Sequence, residues 1–239
     1  YTLTLNGGLL FSSGTPPTAG LVWTGTITCQ TPPSPPEDCV GGITICSGQT
    51  FNNTTTNTGA VADLNFTSAG CLSALERQGT WYNFSPSSSG TVGFTINPSD
   101  PLDDYDFALW GPFPPGSNPS TICPPLGAPL RCSWAAPSGA TGLNAASTDQ
   151  SEGAAGDKWV QQLTVTTGQV YLLYISNYSM SGLSFGLTWQ LGNGASLDCT
   201  VLPVQLLTLT ATPAEGKVLV DWATASEMNS SHFVVERSG

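Results

Sequence analysis

The chain has 239 residues, of which 16 are acidic and 5 are basic, and its net charge is −11. Charged residues make up 9% of it, against about 25% in an average soluble domain. Nucleic acid is not an expected partner, because the sequence has no cluster of basic residues to neutralise phosphates. The length allows one large β domain with additional pieces, or two small domains.

The first section, residues 1–36, contains two strand-like runs at 1–5 and 21–28 and ends in the Pro-rich stretch TPPSPPED. The prolines predict a stiff, polyproline-like linker. Tyr1 is interpreted as the start of a mature chain whose secretion leader has been removed. No apolar run approaches the ~18 residues of a membrane span.

The second section, residues 37–200, shows the two-residue alternation of β-strands and almost no helical periodicity. In the run 91–97, Val92, Phe94 and Ile96 are expected on one buried face. This section is predicted to form a β-sandwich or jelly roll within an all-β fold.

Other runs in the same section extend this prediction. The run 169–177 is apolar on both faces, as expected of a central strand. Further strands are predicted at 79–85, 106–110, 159–166 and 185–191. The inward-facing residues expected in the last of these are Phe185, Leu187, Trp189 and Leu191.

The third section, residues 201–239, contains three more strand-like runs: QLLTLTATP, KVLVDWATA and HFVVERSG. A β-sandwich takes roughly 90–100 residues, and three strands with one apolar face are marginal in water. We therefore expect this section to dock on the main domain, to receive strands from another chain, or to continue into further sequence.

The seven cysteines favour disulfides over a zinc site, because none forms a CxxC pair and His232 is the single histidine. Disulfides indicate an oxidising, extracytoplasmic compartment. One bond is expected to close a short Pro-rich loop, one to clasp the ends of the main domain, and one to join the remaining two, although spacing leaves the connectivity open. The expected pairs are Cys123–Cys132, Cys39–Cys199 and Cys46–Cys71. Cys29 is then free or bonds another chain.

The densest acidic segment is SDPLDDYDF, which contains Asp100, Asp103, Asp104 and Asp106. Hard oxygen ligands suit Ca²⁺, so Asp103, Asp104 and Asp106 are the candidate calcium ligands, although the spacing is not that of an EF-hand. The alternative is a solvated turn before a strand, in which Asp106 accepts hydrogen bonds from backbone amides. No other cofactor is expected.

The residues available for catalysis argue against an enzyme. The stretch GLSFG (182–186) matches a nucleophile pattern, but that pattern needs a strand-to-helix turn, whereas Ser184 lies where a strand begins. The single histidine, His232, lies in the third section, so a serine–histidine pair is not expected. We predict a non-enzymatic protein with no catalytic residue.

The seven tryptophans include candidates for a sugar-stacking platform. Trp81, Trp110, Trp189 and Trp222 lie in alternating strands and are expected in the core. Trp134, in the loop CSWAAPSGATG, is the candidate exposed, ligand-binding ring. The alternative is that its ring is buried and anchors the loop.

Two stretches carry a family likeness. LPVQLLTLTATPAEGKVLVDWATASEMNSSHFVVERSG (202–239) resembles the first strands of a fibronectin type III-like module of surface proteins that Bacteroidota-type bacteria export by the type IX secretion system. In that family the module continues past ERS, so this section is interpreted as an incomplete immunoglobulin- or fibronectin-like one.

The stretch 38–199 is similar to the domain that often precedes that module, and more distantly to the bacterial pre-peptidase C-terminal jelly roll. The motifs that carry this likeness are WYNF, GTVGFTIN, DDYDFALW and GQVYLLYISN. The resemblance implies an ancillary, non-catalytic extracellular module used in adhesion, surface display or assembly.

The leading hypothesis is a subunit of an extracellular surface filament or other assembly, a homopolymer built by β-strand addition between copies. In it, alternate side chains of the first section fill pockets on a neighbouring copy, and Cys29 bonds to that copy. These side chains are Leu3, Leu5, Leu21 and Trp23. The alternative is a non-catalytic adhesin or carbohydrate-binding module of a larger secreted surface protein, with glycans or other surface proteins as partners.

Overall fold

The structure is a computed structural model that describes residues 34–46, 49–51, 59–125, 127–198, 206–214 and 217–224. Their regular secondary structure is almost entirely β, as the two-residue alternation predicts. The helical elements described are a 3-10 turn (Cys39–Gly41) and a short helix α1 (Pro119–Ile122). Among the described residues, no helix has the length and apolar character needed to cross a membrane.

The described strands are numbered in chain order. The first eight are β1 (Ile43–Thr44), β2 (Gln49–Phe51), β3 (Gly79–Phe84), β4 (Pro86–Ser88), β5 (Gly90–Pro98), β6 (Tyr105–Phe113), β7 (Arg131–Ser133) and β8 (Thr141–Asn144). The next eight are β9 (Ser151–Glu152), β10 (Trp159–Gln161), β11 (Leu163–Val165), β12 (Val170–Asn177), β13 (Phe185–Gly192), β14 (Ser196–Leu197), β15 (Leu206–Ala214) and β16 (Lys217–Thr224).

Two six-stranded sheets form the body of the fold. Sheet 1 has the order β1-β3-β12-β6-β7-β9, and sheet 2 has the order β10-β8-β5-β13-β2, with β11 also paired to β5. Two smaller pairs, β14 with β4 and β15 with β16, complete the described strands. The long strands lie in the centre of each sheet and the shortest at its edges, which limits edge-to-edge association of the sheets.

The main core lies between the two sheets. Phe94 of sheet 2 meets Phe107 of sheet 1 with ring centroids 5.3 Å apart and the rings edge to face, a favourable geometry for aromatic pairs. The predicted buried face of β5 is confirmed, because Val92, Phe94 and Ile96 are fully buried. Each such side chain contributes roughly 1.5–3 kcal/mol of burial free energy.

The opposite face of sheet 1, which we call the outer face, is covered by residues 59–78, which we call the covering loop. Trp81 and Trp110 contact each other on this face, with ring centroids 5.2 Å apart and the rings tilted by 34°. The Trp110 indole N–H donates to the Ser68 carbonyl at 3.1 Å. Apolar side chains of the loop, among them Leu64 and Leu72, pack into the same cluster. The loop thus forms a third layer over the sandwich.

This third layer explains the composition of the central strand. Every residue of β12 is buried, and β12 lies between β3 and β6 in sheet 1. Leu173 packs in the core between the sheets, whereas its neighbours Leu172 and Tyr174 pack under the covering loop. The expectation of a central strand apolar on both faces is therefore confirmed.

The expectation for the run 185–191 is confirmed only in part. Phe185 and Leu187 are buried, and Trp189 is half-buried against Phe84 and Phe94. Leu191 is 43% exposed, so its assignment to the core was wrong. Burial decreases along β13 toward its end, and Leu191 lies just before the turn in which the Ala195 N–H donates to the Gly192 carbonyl.

Candidate functional site

Two disulfides hold the covering loop and the neighbouring turns in place. Cys39, in the 3-10 turn, bonds to Cys123 at the end of α1. Cys71, in the covering loop, bonds to Cys132 of β7. Cys46 is also disulfide-bonded, while Cys29 and Cys199 lie outside the described residues. Oxidation of these five cysteines agrees with the expected disulfide set.

The predicted pairings, however, were wrong. The structure replaces Cys123–Cys132, Cys39–Cys199 and Cys46–Cys71 with Cys39–Cys123 and Cys71–Cys132, which span 84 and 61 residues. Short spacing favoured a local bond in the Pro-rich loop. The physical reason for the difference is that the covering loop carries Cys71 across the outer face to Cys132, which frees Cys123 for the 3-10 turn.

Three carboxylates also tie the covering loop down. Asp38 Oδ1 accepts from the backbone N–H groups of Ala60 and Val61, at 2.8 and 3.0 Å. Asp63 Oδ2 accepts from the Cys39 N–H at 2.7 Å. Both oxygens of Glu76 lie 3.2 Å from the Asp63 nitrogen, which donates to them. Buried carboxylates therefore satisfy backbone donors at the start of the loop and at Cys39, and Glu76 links the end of the loop to its start.

Burial changes the protonation of this group. Glu76 is 8% exposed, and desolvation, with a further contribution from the charge of Asp63, raises its pKa to about 7. Desolvation likewise raises the pKa of Asp63. Burial under this layer therefore favours the neutral form of Glu76 up to about pH 7.

The acidic segment forms a turn that separates its carboxylates. The Leu102 N–H donates to Asp100 Oδ1 at 2.9 Å, and the Asp103 N–H donates to the Asp100 carbonyl at 3.0 Å. This agrees with the turn considered as the alternative to a calcium loop. In that alternative Asp106 was expected to accept hydrogen bonds from backbone amides. Its Oδ1, however, is buried and has no hydrogen-bond partner.

The three predicted calcium ligands are not grouped as a metal site. Asp103 Oδ2 accepts from the Ser181 hydroxyl at 2.6 Å, so this oxygen already has a hydrogen-bond partner. Asp104 and Asp106, two residues apart, lie near enough for the charge of one to act on the other. In the part of the chain that the structure describes, no group of three or more His, Cys, Asp or Glu side chains is placed to hold a metal.

Asp106, near the start of β6, and Asp104, which directly precedes this strand, lie on the outer face of sheet 1. Asp106 pairs with Ser176 of β12, and the Tyr178 N–H donates to the Asp104 carbonyl at 2.9 Å. Desolvation raises the pKa of Asp104 to about 6 and that of Asp106 to about 7. Asp106 is only 7% exposed, so burial favours its neutral form up to about pH 7.

Arg77, the last but one residue of the covering loop, approaches these acids without a hydrogen bond to Asp106 Oδ1. Its guanidinium lies 4.3 Å from the centre of the Tyr178 ring, and its charge lowers the pKa of Asp106. Its Nε is buried and has no hydrogen-bond partner. The Arg77 backbone is fixed, because its N–H donates to the Tyr174 hydroxyl and its carbonyl accepts from the Ser176 hydroxyl.

Trp134 lies on the other side of Asp106 in the sheet. The register pairs Phe107 with Ser133, so the next position places Trp134 beside Asp106. The backbone N–H of Trp134 donates to the Glu152 carbonyl at 3.3 Å, which continues the pairing of β7 with β9. Its ring is 37% exposed, whereas Trp81 and Trp110 are buried, as predicted. The side chain of Trp222 lies outside the described residues.

We call Arg77, Asp104, Asp106, Trp134 and Tyr178 the outer-face site. Sequence reasoning selected Asp104, Asp106 and Trp134 separately, and the structure places all three at the same end of sheet 1. It missed Arg77 and Tyr178. Arg77 could have been noticed because it is the first basic residue of an acidic chain. Nothing in the sequence, however, places its side chain over Tyr178.

A second notable feature is the hairpin of β15 and β16. The two strands pair antiparallel, with Leu209 opposite Trp222 and Thr210 opposite Asp221. Among the described residues they form a two-stranded sheet of their own. Thr210, Asp221 and Ala223 are exposed. Each strand therefore has one edge without a described partner.

The predicted inter-subunit residues Leu3, Leu5, Leu21, Trp23 and Cys29 lie outside the described residues. His232 lies outside them too. Ser184 precedes β13 directly and is not followed by a helix, which is the context that argued against a nucleophile elbow.

No protein-family model matches the chain, and no curated protein matches it in sequence. The likeness to type IX cargo proteins therefore stays a prediction.

Proposed function

We propose that this chain is a structural subunit of an extracellular assembly, such as a surface filament, in which copies are joined by β-strand addition. The observation that carries the proposal is the hairpin of β15 and β16, whose strands of nine and eight residues pair only with each other among the described residues. A two-stranded hairpin is marginally stable in water. It therefore requires a further strand or another packing surface.

Edge length supports the choice of this hairpin as the acceptor. The edge strands of the two sheets, β1, β2, β9 and β10, have only two or three residues. Edges this short give an incoming strand few backbone hydrogen bonds. The hairpin presents a much longer row, and in β-strand addition backbone hydrogen bonds supply affinity while alternate side chains set register.

The donor in this proposal is the first section of a neighbouring copy. Its runs 1–5 and 21–28 alternate apolar and polar residues and precede a Pro-rich stretch. Leu3 and Leu5, or Leu21 and Trp23, would face the apolar residue types of the hairpin. A contact between two different surfaces of the same chain is head-to-tail, and such contacts repeat into an open polymer.

The disulfides support an extracytoplasmic compartment. Bonds such as Cys39–Cys123 and Cys71–Cys132 persist in oxidising surroundings outside the cytoplasm. Together with the low charge content and the likeness to surface-exported proteins, they support a secreted, non-enzymatic role. Cys29 is proposed to form a covalent link to the neighbouring copy.

Assembly should depend on the donor leucines. Replacing Leu3 and Leu5 together by Asp is expected to abolish polymers, because charges cannot enter apolar pockets without a large desolvation penalty. Negative-stain electron microscopy and light scattering would show single copies for this variant and polymers for the natural chain. The matched control is Leu102→Asp, since Leu102 is 78% exposed on the sandwich. Polymers that persist in the double variant would rule out this donor.

A second candidate function is that of a non-catalytic adhesin or carbohydrate-binding module. The exposed ring of Trp134 beside the acidic end of β6 favours it. The two functions are compatible, because the outer-face site and the hairpin involve different strands.

A further inference from the structure

The outer-face site combines unsatisfied donors and acceptors with exposed aromatic rings. Asp104 Oδ1 and Asp106 Oδ1 are buried acceptors with no hydrogen-bond partner, and Arg77 Nε is a buried donor with none. Buried polar atoms are nearly always paired, so three orphans in one place mark a position for a ligand. Asp106 is more than nine-tenths buried, and the charge of Arg77 reaches it.

The signs of these groups exclude two simple ligands. A divalent cation is disfavoured by the guanidinium of Arg77 and by the positive charge of Lys158, which acts on Asp104. An anion is disfavoured by the two carboxylates. A neutral group that both donates and accepts, such as a hydroxyl, satisfies both kinds of orphan: it donates to a carboxylate and accepts from Arg77.

The aromatic residues of the site indicate which class of neutral, hydroxyl-bearing ligand it fits. Tyr178 is 41% exposed and Trp134 is 37% exposed, and they lie on opposite sides of β6 at the same end of sheet 1. Half-exposed aromatic rings offer an apolar face to the C–H groups of a sugar while hydroxyls bond nearby polar atoms. Rings beside a row of donors and acceptors match a saccharide chain better than a single small polyol.

We propose that the outer-face site binds a neutral saccharide, whose hydroxyls bridge Arg77 Nε and the carboxylates of Asp104 and Asp106, and whose ring faces contact Trp134 and Tyr178. The inference deepens the second candidate function by naming the residues and the ligand class. It does not depend on assembly through the hairpin, so either proposal can fail alone.

The test is affinity electrophoresis of the full chain through gels that contain neutral dextran, mannan or xyloglucan, or the anionic alginate. We expect retardation by at least one neutral polysaccharide and none by alginate, which the acidic surface repels. Trp134→Ala and Asp106→Asn should each weaken the retardation at least fivefold. The conservative Asp106→Asn variant keeps the side-chain shape, so its loss of binding does not reflect misfolding.

The control is Leu191→Ala, which removes an exposed apolar side chain from sheet 2 and should leave binding unchanged. Thermal unfolding of each variant checks the fold. Absence of retardation by all three neutral polysaccharides, retardation by alginate, or binding unaffected by both Trp134→Ala and Asp106→Asn would each overturn the proposal. Loss of binding together with intact polymers would show that the two functions are separate.

Discussion

Replacing Cys71 and Cys132 together by Ser is expected to lower the free energy of unfolding by about 4 kcal/mol, the chain-entropy value for a closed loop of this size. The bond spans 61 residues and is the covalent link between the covering loop and sheet 1. Without it, the loop is held by its hydrogen bonds and by the packing of a few apolar side chains. We therefore expect the outer face to open before the sandwich unfolds.

Limited trypsin digestion would report this opening directly. Arg77 is one of only five basic residues, and its backbone bonds to Tyr174 and Ser176 shield it in the folded protein. The double variant should be cleaved after Arg77 at least tenfold faster than the natural chain. Chemical denaturation gives the change in the free energy of unfolding.

The matched control is the double replacement of Cys39 and Cys123 by Ser, which removes a bond of 84 residues but leaves the covering loop tied to β7. It should lose similar stability, while the rate of cleavage after Arg77 changes little. Equal cleavage in the two double variants would mean that the Cys71–Cys132 bond does not hold the loop.

The second large effect concerns pH. Glu76 and Asp106 have pKa values raised to about 7 by burial, from ordinary values of 4.5 and 3.8. Between those limits the folded chain binds more protons than the unfolded chain. Their stabilising contribution is therefore complete below about pH 4 and is lost as the pH rises through about 7.

We expect the free energy of unfolding to fall by on the order of 2–4 kcal/mol between pH 5 and pH 8, taking about 1.4 kcal/mol for each pKa unit and allowing for relaxation toward water. Denaturant unfolding at several pH values measures it. Glu76→Gln should stabilise the protein at pH 8 by roughly 1–2 kcal/mol and have little effect at pH 5, because Gln can still accept from the Asp63 N–H.

Asp221→Asn provides the comparison for this experiment, because the side chain of Asp221 is exposed. It should leave the pH dependence unchanged. A natural chain that grows more stable from pH 5 to pH 8 would contradict the burial of neutral carboxyl groups under the covering loop.

The central strands could be predicted because the burial of each one is reflected in a regular pattern of apolar and polar residues. Val92, Phe94 and Ile96 alternate with polar residues since one face of β5 meets sheet 1. The run 169–177 carries apolar residues on both faces since β12 is covered on both sides. Strands with such patterns indicate their burial without knowledge of their neighbours.

The covering loop could not be predicted in this way. It has no periodicity, and its partners lie far away in the sequence, as Cys71 and Cys132 do across 61 residues. The short strands β7, β8 and β9 were missed for a related reason, since two to four residues carry too little pattern. Cys71 lies in the covering loop and Cys132 lies in β7, so the spacing of the cysteines alone predicted the wrong bonds.

The outer-face site was predicted in pieces. Composition alone selected Asp104, Asp106 and the loop residue Trp134. Their meeting depends on the order β12-β6-β7 in sheet 1, which no local pattern reveals. Arg77 joins them only because the covering loop ends above β12.

The central claim is that the hairpin of β15 and β16 receives its missing neighbour strand from another copy of the chain. A cryo-electron microscopy structure of the native material, at a resolution that traces side chains, tests it most directly. We predict a strand from the first section of a second copy, hydrogen-bonded along β15 or β16. Single copies only, or a hairpin completed by strands of its own polypeptide, would contradict it.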